Sequence, residues 1–291
     1  MPEIPELEAI RGFFNEHLRG RTIAAVETRI PPVFRTPAKD LRETLPGDTF
    51  GEVGRHGKFL LFALESGRTL AMNPMLTGRF QFLSSKTRVA ARACLVVGLE
   101  GTDDQLRYVD ERLMGKVYLV PGDQLAQIPN WDSNGPDLLD PALDEDAWLA
   151  RIKKYRGAIK NVIVKAEFVQ GIGNAYSDEI LWDAQINPYT PRTQLSEAEL
   201  RSLYRAAKTV MAWATPLAAE RMIRGATLNY EERRDFVRVH RRGGDPCPRC
   251  GAAISEITAN QRITSFCRQC QPGGPSGAVA AVERQGIPNR P

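Results

Sequence analysis

Four cysteines, Cys247-x2-Cys250 and, after sixteen intervening residues, Cys267-x2-Cys270, form the densest chemical pattern in this 291-residue chain. Two CxxC pairs at this separation fit a tetrahedral Zn(Cys)4 ribbon, each pair on a tight turn with a β-hairpin between them. One structural zinc is therefore the expected cofactor, supplying folding free energy that so small a core lacks. The fifth cysteine, Cys94, lies in the apolar run RACLVVGL and reads as core. The first residues carry a second pattern. Removal of Met1 leaves Pro2 with a free secondary amine, and an α-amino group titrates near ~8 where a lysine titrates near ~10.4, so part of it is neutral and nucleophilic at neutral pH. Attack on a sugar C1′ with ring opening gives a Schiff base that acidifies the C2′ proton, and elimination then cuts the strand. Glu3 is placed to protonate a ring oxygen or leaving group, and Glu6, one helical turn along, shares its face. Taken alone, Pro-Glu is an ordinary helix start whose acids complement the dipole.

A third pattern is Gly171-Ile172-Gly173-Asn174 between two helical stretches. A Gly-rich turn opening onto a helix offers backbone N–H groups to a phosphate, and Asn174 adds a side-chain donor. It is not a dinucleotide fingerprint, since no strand precedes it and the third Gly is missing, so no nucleotide cofactor is expected. Residues 221–270 hold ten arginines, no lysine and five acids, a local charge of +5 in a chain whose net charge is +4. Guanidinium groups bind phosphate bidentately, so an arginine-only stretch beside a metal cluster points to nucleic acid. The plain alternative is a solvated basic face.

These groups need elements to hold them. With 42% hydrophobic and 25% charged residues, the chain has apolar mass for real cores, and its length suits about two domains. No apolar run approaches a membrane span, and the start MPEIPELE lacks a signal-peptide layout, so a cytoplasmic, nucleoid-associated protein is expected. Ile4, Leu7, Ile10, Phe14 and Leu18 recur at three- and four-residue steps, which predicts a leading amphipathic helix. From Thr22 to about Pro121, β-rich runs alternate with Gly and Pro and predict a sandwich or barrel of about eight strands. DAWLARIKKY, AIKNVIVKAEFV, NAYSDEILW and SEAELRSLYRAAKTVMAWAT read as helices, the last opened by a Ser196–Glu199 capping box. The fold class expected is thus α+β and multidomain: an N-terminal β-sandwich catalytic domain over 1–130, a linker over 131–146, a helical domain over 147–240, a zinc ribbon over 241–271 and a disordered tail over 272–291.

The pieces in this order resemble the formamidopyrimidine-DNA glycosylase and endonuclease VIII family. The stretches that carry the likeness are PEIPELE, RHGKFLLF with Lys58, the MLTG turn, DERLMG, AIKNVIV with VQGIGNAYSDEILW, and CPRCG with NQRITSFCRQCQ. They run from Pro2 to about Gln271. The resemblance implies a β-sandwich, a helix–two-turn–helix domain and a zinc-ribbon hairpin, with damaged double-stranded DNA bound by a monomer. It implies Pro2 as nucleophile, Glu3 as general acid, Glu6 as supporting acid, and Lys58, Asn174 and Arg262 as phosphate binders around the lesion. Leu76 aligns with the inserted wedge, with Met75 beside it, and Arg112 with the arginine facing the orphaned base, flanked by Leu113 or Met114. Plain core positions are the alternative for Met75, Leu76, Leu113 and Met114. The activity implied is bifunctional: excision of an oxidised base, then β- or β,δ-elimination at the abasic site, in base excision repair.

This chain departs from the family pattern in three places. Met114 stands where Phe is usual, Asn73-Pro74-Met75-Leu76 replaces His-Leu-Gly-Met, and the segment from Thr227 is shorter than the purine-lesion cap. The short cap also suits a specialised glycosylase for bulky, cross-linked or single-stranded lesions. A non-catalytic zinc-ribbon DNA-binding protein is the rival from another class.

Overall fold

The computed structural model describes residues 1–230, 234–259 and 262–273, and the chain divides into two compact units that do not follow chain order. The first gathers Met1–Leu143, Lys165–Ile172 and Met211–Phe236. Its opening helix, α1 (Ile4–His17), buries Ile4, Leu7, Ile10 and Phe14 at the spacing that the sequence predicts; the predicted Leu18, its C-cap, is buried too, and Phe13 joins them. Beyond it come β1 (Ile23–Thr28), the short helix α2 (Ala38–Thr44), β2 (Phe50–His56), β3 (Phe59–Leu64), β4 (Arg68–Asn73), β5 (Gly78–Ser84), β6 (Ala93–Leu99), β7 (Asp104–Asp110) and β8 (Lys116–Pro121).

These strands form two antiparallel sheets, the β-sandwich expected. One runs β2-β3-β4-β8. The other runs β1-β6-β7-β5 and is extended by β10 (Thr227–Asn229) and β9 (Ile223–Arg224), a hairpin inside the stretch expected to be helical. Leu60, Phe62, Leu70 and Met72 of the first sheet share one buried cluster with Phe80, Phe82, Leu95, Val97, Leu106 and Tyr108 of the second. Phe14 of α1 packs in the same cluster, with its ring 5.5 Å from Phe62 and 6.1 Å from Phe80. Each such ring, fully buried, contributes about 1.5–3 kcal/mol. The opposite face of β3 carries Phe59 and Leu61, covered by Tyr118, Ile128 and Trp131. Coverage on both faces is why KFLLFAL reads as an unbroken apolar run rather than an alternating one.

The second unit gathers Asp144–Val164, Gly173–Val210 and residues from Val237 on. It contains α3 (Glu145–Ile152), α4 (Ile159–Ile163), α5 (Asn174–Asp183), the first half of α6 (Glu197–Met222), and the hairpin of β11 (Ser255–Ala259) and β12 (Arg262–Phe266). The capping box that opens α6 is present: Ser196 N donates to Glu199 Oε2 at 2.8 Å and Glu199 N to Ser196 Oγ at 3.3 Å. Two helices differ from expectation. AIKNVIVKAEFV is helical only over Ile159–Ile163, because the backbone beyond it pairs elsewhere: Gly135 N donates to Ala166 O, and Gln170 N to Pro136 O. Helix α6 runs on past Pro216, and Ala218 and Met222 in its last turns are buried in the sandwich core. The expected disordered tail falls, from residue 274 on, outside the described residues, as do Glu231, Glu232, Arg233, Asn260 and Gln261.

Candidate active site and metal centre

The chain start is built into the core of its unit. Pro2 is buried, Glu3 is 2% exposed and Glu6 3%. Glu3 is the N-cap of α1, and Glu3 and Glu6 close a reciprocal capping box in which Glu6 Oε2 accepts the Glu3 N–H at 2.9 Å. The other Glu6 oxygen, Oε1, accepts Arg234 Nε at 2.7 Å, and Arg234 Nη2 donates to the Met1 carbonyl at 2.7 Å. Burial opposes the charge on Arg234, but Glu6 and Glu3 hold its pKa well above the ordinary guanidinium value. Glu6 is therefore a brace for the Pro2–Glu3 peptide, and Arg234 joins this candidate site without having been among the residues predicted for it. Nothing local to Arg234 marks it, since its partners lie more than two hundred residues away in sequence.

Gly171 supports the same spot. It has φ of +100°, and a Cβ there would come within 2.2 Å of the Ile4 side chain. Close approach to Ile4 of α1 accounts for this glycine without any phosphate.

Lys58 sits half-buried in the two-residue turn Gly57-Lys58 between β2 and β3. The turn is held from several sides. Asp137 takes a bidentate pair from Arg55, with Nη2 to Oδ1 at 2.7 Å, and accepts Gly57 N at 3.0 Å. Arg55 also pairs with Glu8 of α1 at 2.5 Å. His56 stacks on Trp131 at 4.2 Å, and Gln170 Nε2 donates to His56 Nε2 at 3.0 Å. Burial lowers the His56 pKa, consistent with a neutral ring that accepts this bond. Gly57, at φ +55°, admits Gln170 where a Cβ would lie 2.2 Å from Oε1.

Strand register brings the next two predicted residues together. Gly78 pairs with Asp110 across β5 and β7, and Asn73 with Lys116 across β4 and β8. The turn carrying Met75 and Leu76 thus lies beside the turn carrying Arg112. Asp110, fully buried, ties them: Oδ1 accepts Thr77 Oγ1 at 2.5 Å and Arg112 N at 3.2 Å, and Oδ2 accepts Gly115 N at 2.6 Å. Among the described residues Leu76, at 41%, is the exposed large hydrophobic, so it is not a core position. Met75 is half-buried at φ 50°, and Leu113 packs against the core at φ 54°. Arg112 is exposed.

Asn174 and Arg262 belong to the second unit. Asn174 is the first residue of α5, and its Nδ2 donates to Ile263 O at 2.9 Å. Arg262, exposed, opens β12 next to that carbonyl. The same stretch is held by Lys160, whose Nζ reaches Asp178 Oδ1 at 2.6 Å, Ile263 O at 2.9 Å and Thr264 Oγ1 at 3.0 Å. Asp178 Oδ2 also accepts His240 Nδ1 at 2.7 Å and Ser265 N at 3.1 Å. Its neighbour Glu179 accepts the N–H groups of Arg238, Val239 and His240, while burial pushes its carboxyl up. Two adjacent acids of α5 thereby anchor both the entry to the ribbon and its return strand.

The four Sγ atoms of Cys247, Cys250, Cys267 and Cys270 lie within 4.8 Å of one another. Cys247 and Cys270 are 3.8 Å apart and Cys250 and Cys267 3.5 Å. A disulfide requires ~2.05 Å, whereas four thiolates at ~2.3 Å from one zinc stand ~3.8 Å apart. The donor set fits zinc. Trp182 Nε1 donates to Cys247 Sγ at 3.4 Å, and Arg249 stacks on Trp182 at 4.3 Å.

Comparison with known proteins agrees with this geometry along the chain. Residues 1–117 match the formamidopyrimidine-DNA glycosylase N-terminal domain, 135–222 the helix–two-turn–helix domain of the same enzymes, and 244–273 the zinc finger found in them and in isoleucyl-tRNA synthetase. The formamidopyrimidine-DNA glycosylase of Pelotomaculum thermopropionicum is 31% identical over 277 residues, covering 93% of this chain and 99% of that protein. That of Enterococcus faecalis is 33% identical over 276 residues, covering 93% and 97%. The Lactococcus lactis enzyme solved with abasic-site DNA superposes with a TM-score of 0.84 at 27% identity, covering 93% of this chain and all of that one. The same enzyme solved with DNA containing a formamidopyrimidine lesion gives 0.82 at 26% identity, again over 93% of this chain. On these grounds the chain belongs to the formamidopyrimidine-DNA glycosylase family.

Proposed function

We propose that this protein removes oxidised bases from duplex DNA and then cuts the strand at the abasic site, as a glycosylase and lyase acting through Pro2. The observation that carries the reading is the buried chain start, where Glu6 accepts the N–H of the Pro2–Glu3 peptide and is itself held by Arg234. The damaged nucleotide must leave the stack first, at a cost of a few kcal/mol. Leu76 fills the gap as the wedge and Arg112 faces the orphaned base, which suits their exposure on turns fixed by Asp110. Lys58, Asn174 and Arg262 hold the phosphates around the extruded nucleotide.

At the sugar, the neutral Pro2 amine attacks C1′ and the base leaves. Glu3 gives a proton to the ring oxygen O4′ as the C1′–O4′ bond breaks, and the nitrogen lone pair closes the iminium. Loss of the now acidic C2′ proton expels the 3′ phosphate, and hydrolysis of the imine returns Pro2. The zinc, when bound, only stiffens the ribbon that carries Arg262.

Borohydride trapping tests the reading, on material whose N-terminus mass spectrometry shows to be Pro2. Duplex DNA with an abasic site should yield a covalent protein–DNA adduct. E3Q should lose about 10²–10⁴ in base excision yet still bind the lesion. Binding without an adduct, by protein with a free Pro2, would favour a non-catalytic DNA-binding protein instead.

A further inference from the structure

Arg234 lies in the segment after β10 that sequence analysis reads as a shortened lesion cap, and both its flanks are anchored. Tyr230 on one side is 2% exposed, and its N donates to Phe80 O at 3.2 Å. On the other side Asp235 pairs with Arg221 at 2.7 Å, and Phe236 packs edge-on against Trp213. Arg234 itself is 11% exposed in its side chain and is fixed by Glu6, so its guanidinium has a set orientation. Its Nη2 donates to the Met1 carbonyl oxygen at 2.7 Å.

That atom has a chemical meaning. The Met1 carbonyl carbon is bonded to the Pro2 nitrogen and is planar, with its oxygen as a substituent. Once Met1 is removed and a sugar is attached, C1′ takes the place of that carbon. Before the ring opens, C1′ is tetrahedral and carries the Pro2 nitrogen, O4′, C2′ and a hydrogen; of these only O4′ can accept a hydrogen bond, so O4′ is the substituent that answers to Met1 O. The donor that binds the carbonyl in the precursor is thus directed at the leaving oxygen in the adduct.

We propose that Arg234 is a further catalytic residue, whose Nη2 donates to the sugar-ring oxygen on C1′ while that ring opens. The proposal rests on the assignment of Pro2 as nucleophile. The amine displaces the base, which departs with its bonding pair and the amine proton. The C1′–O4′ bond then breaks, its pair going to O4′; the nitrogen lone pair forms C=N, and Glu3 supplies the proton that O4′ takes. Arg234 keeps its protons throughout and stabilises the charge developing on O4′ before Glu3 has delivered its own. A fixed, largely buried donor is suited to this task. Glu6 orients the guanidinium through Nε and the nucleophile's peptide through the Glu3 N–H, so donor and nucleophile are referenced to one carboxylate.

The test uses full-length protein with Pro2 confirmed as its N-terminus, in single-turnover excision on oxidised-base duplex and in binding to a tetrahydrofuran abasic analogue. R234A should excise about 100-fold more slowly, R234K should lose less, and tetrahydrofuran-site affinity should stay within about threefold. Added methylguanidinium should restore part of the R234A rate, which a purely architectural role does not provide for. An R234A enzyme as fast as wild type, or a slow one that methylguanidinium does not accelerate, overturns the proposal. A wild-type protein that traps no adduct defeats the Pro2 assignment itself and this inference with it.

Discussion

The carboxylate of Asp110 accepts Thr77 and Arg112 on one oxygen and Gly115 on the other, with no exposure to solvent. An amide at this position keeps one acceptor and turns a pair of donors toward groups that already donate. Each buried donor left without an acceptor costs about 1–3 kcal/mol. D110N should therefore lower stability by about that amount in denaturant unfolding, and by the same step should loosen Leu76 and Arg112 together. If those residues serve extrusion, 2-aminopurine placed next to a lesion should brighten less with D110N than with wild type. Unchanged stability in D110N would show that the two turns hold without this tie. The candidate site positions are legible as contiguous motifs: PEIPELE, RHGK, MLTG, DERLMG. Their supports are not. Asp137 reaches Arg55 over 82 residues and Arg234 reaches Glu6 over 228, and no local pattern announces pairings made only by the folded chain.

Elements differ in how much of their stability they carry themselves. Strands β11 and β12 are five residues each, and a two-stranded hairpin is marginal in water. The apolar cluster beneath it is small: Trp182, Val239, Ile254 and three of the cysteines. The metal must supply the difference, of order 10 kcal/mol for a structural zinc. Treatment with a strong chelator should release about one zinc per chain and shift the emission of Trp182, whose indole N–H faces Cys247 Sγ. Helical circular dichroism from α3 to α6 should persist, while lesion binding falls as Arg262 loses its frame. Intact binding in zinc-free protein would separate the ribbon from DNA recognition. The ribbon was readable from cysteine spacing because its ligands are sequence-local. The hairpin of β9 and β10 was not, since strands of two and three residues show no periodicity and exist here because β5 offers an edge. The helix expected over AIKNVIVKAEFV ended early for a similar reason, as pairing of Ala166 and Gln170 with residues 135–138 outweighed local propensity.

For the whole molecule, the ten arginines between 221 and 270 overstate the charge available to a ligand. Arg221 pairs with Asp235 and Arg234 with Glu6, Arg249 stacks on Trp182, and Arg238 and Arg242 face Asp183 and Asp245 at 3.7 Å. A cation already paired within the protein releases few counterions from DNA. Arg262 is exposed and is the proposed phosphate ligand, so its share of the electrostatics should be separable. Each phosphate neutralised contributes about −0.9 to the slope of log affinity against log salt. R262Q should thus flatten the slope by about 1 and weaken binding to every sequence alike. N174A should weaken binding without altering the slope, because an amide displaces no counterion. R221Q should leave the slope where it was. If R221Q flattened it as much as R262Q, the basic segment would be acting as a diffuse charged face, and the proposed contact at the ribbon tip would lose its support.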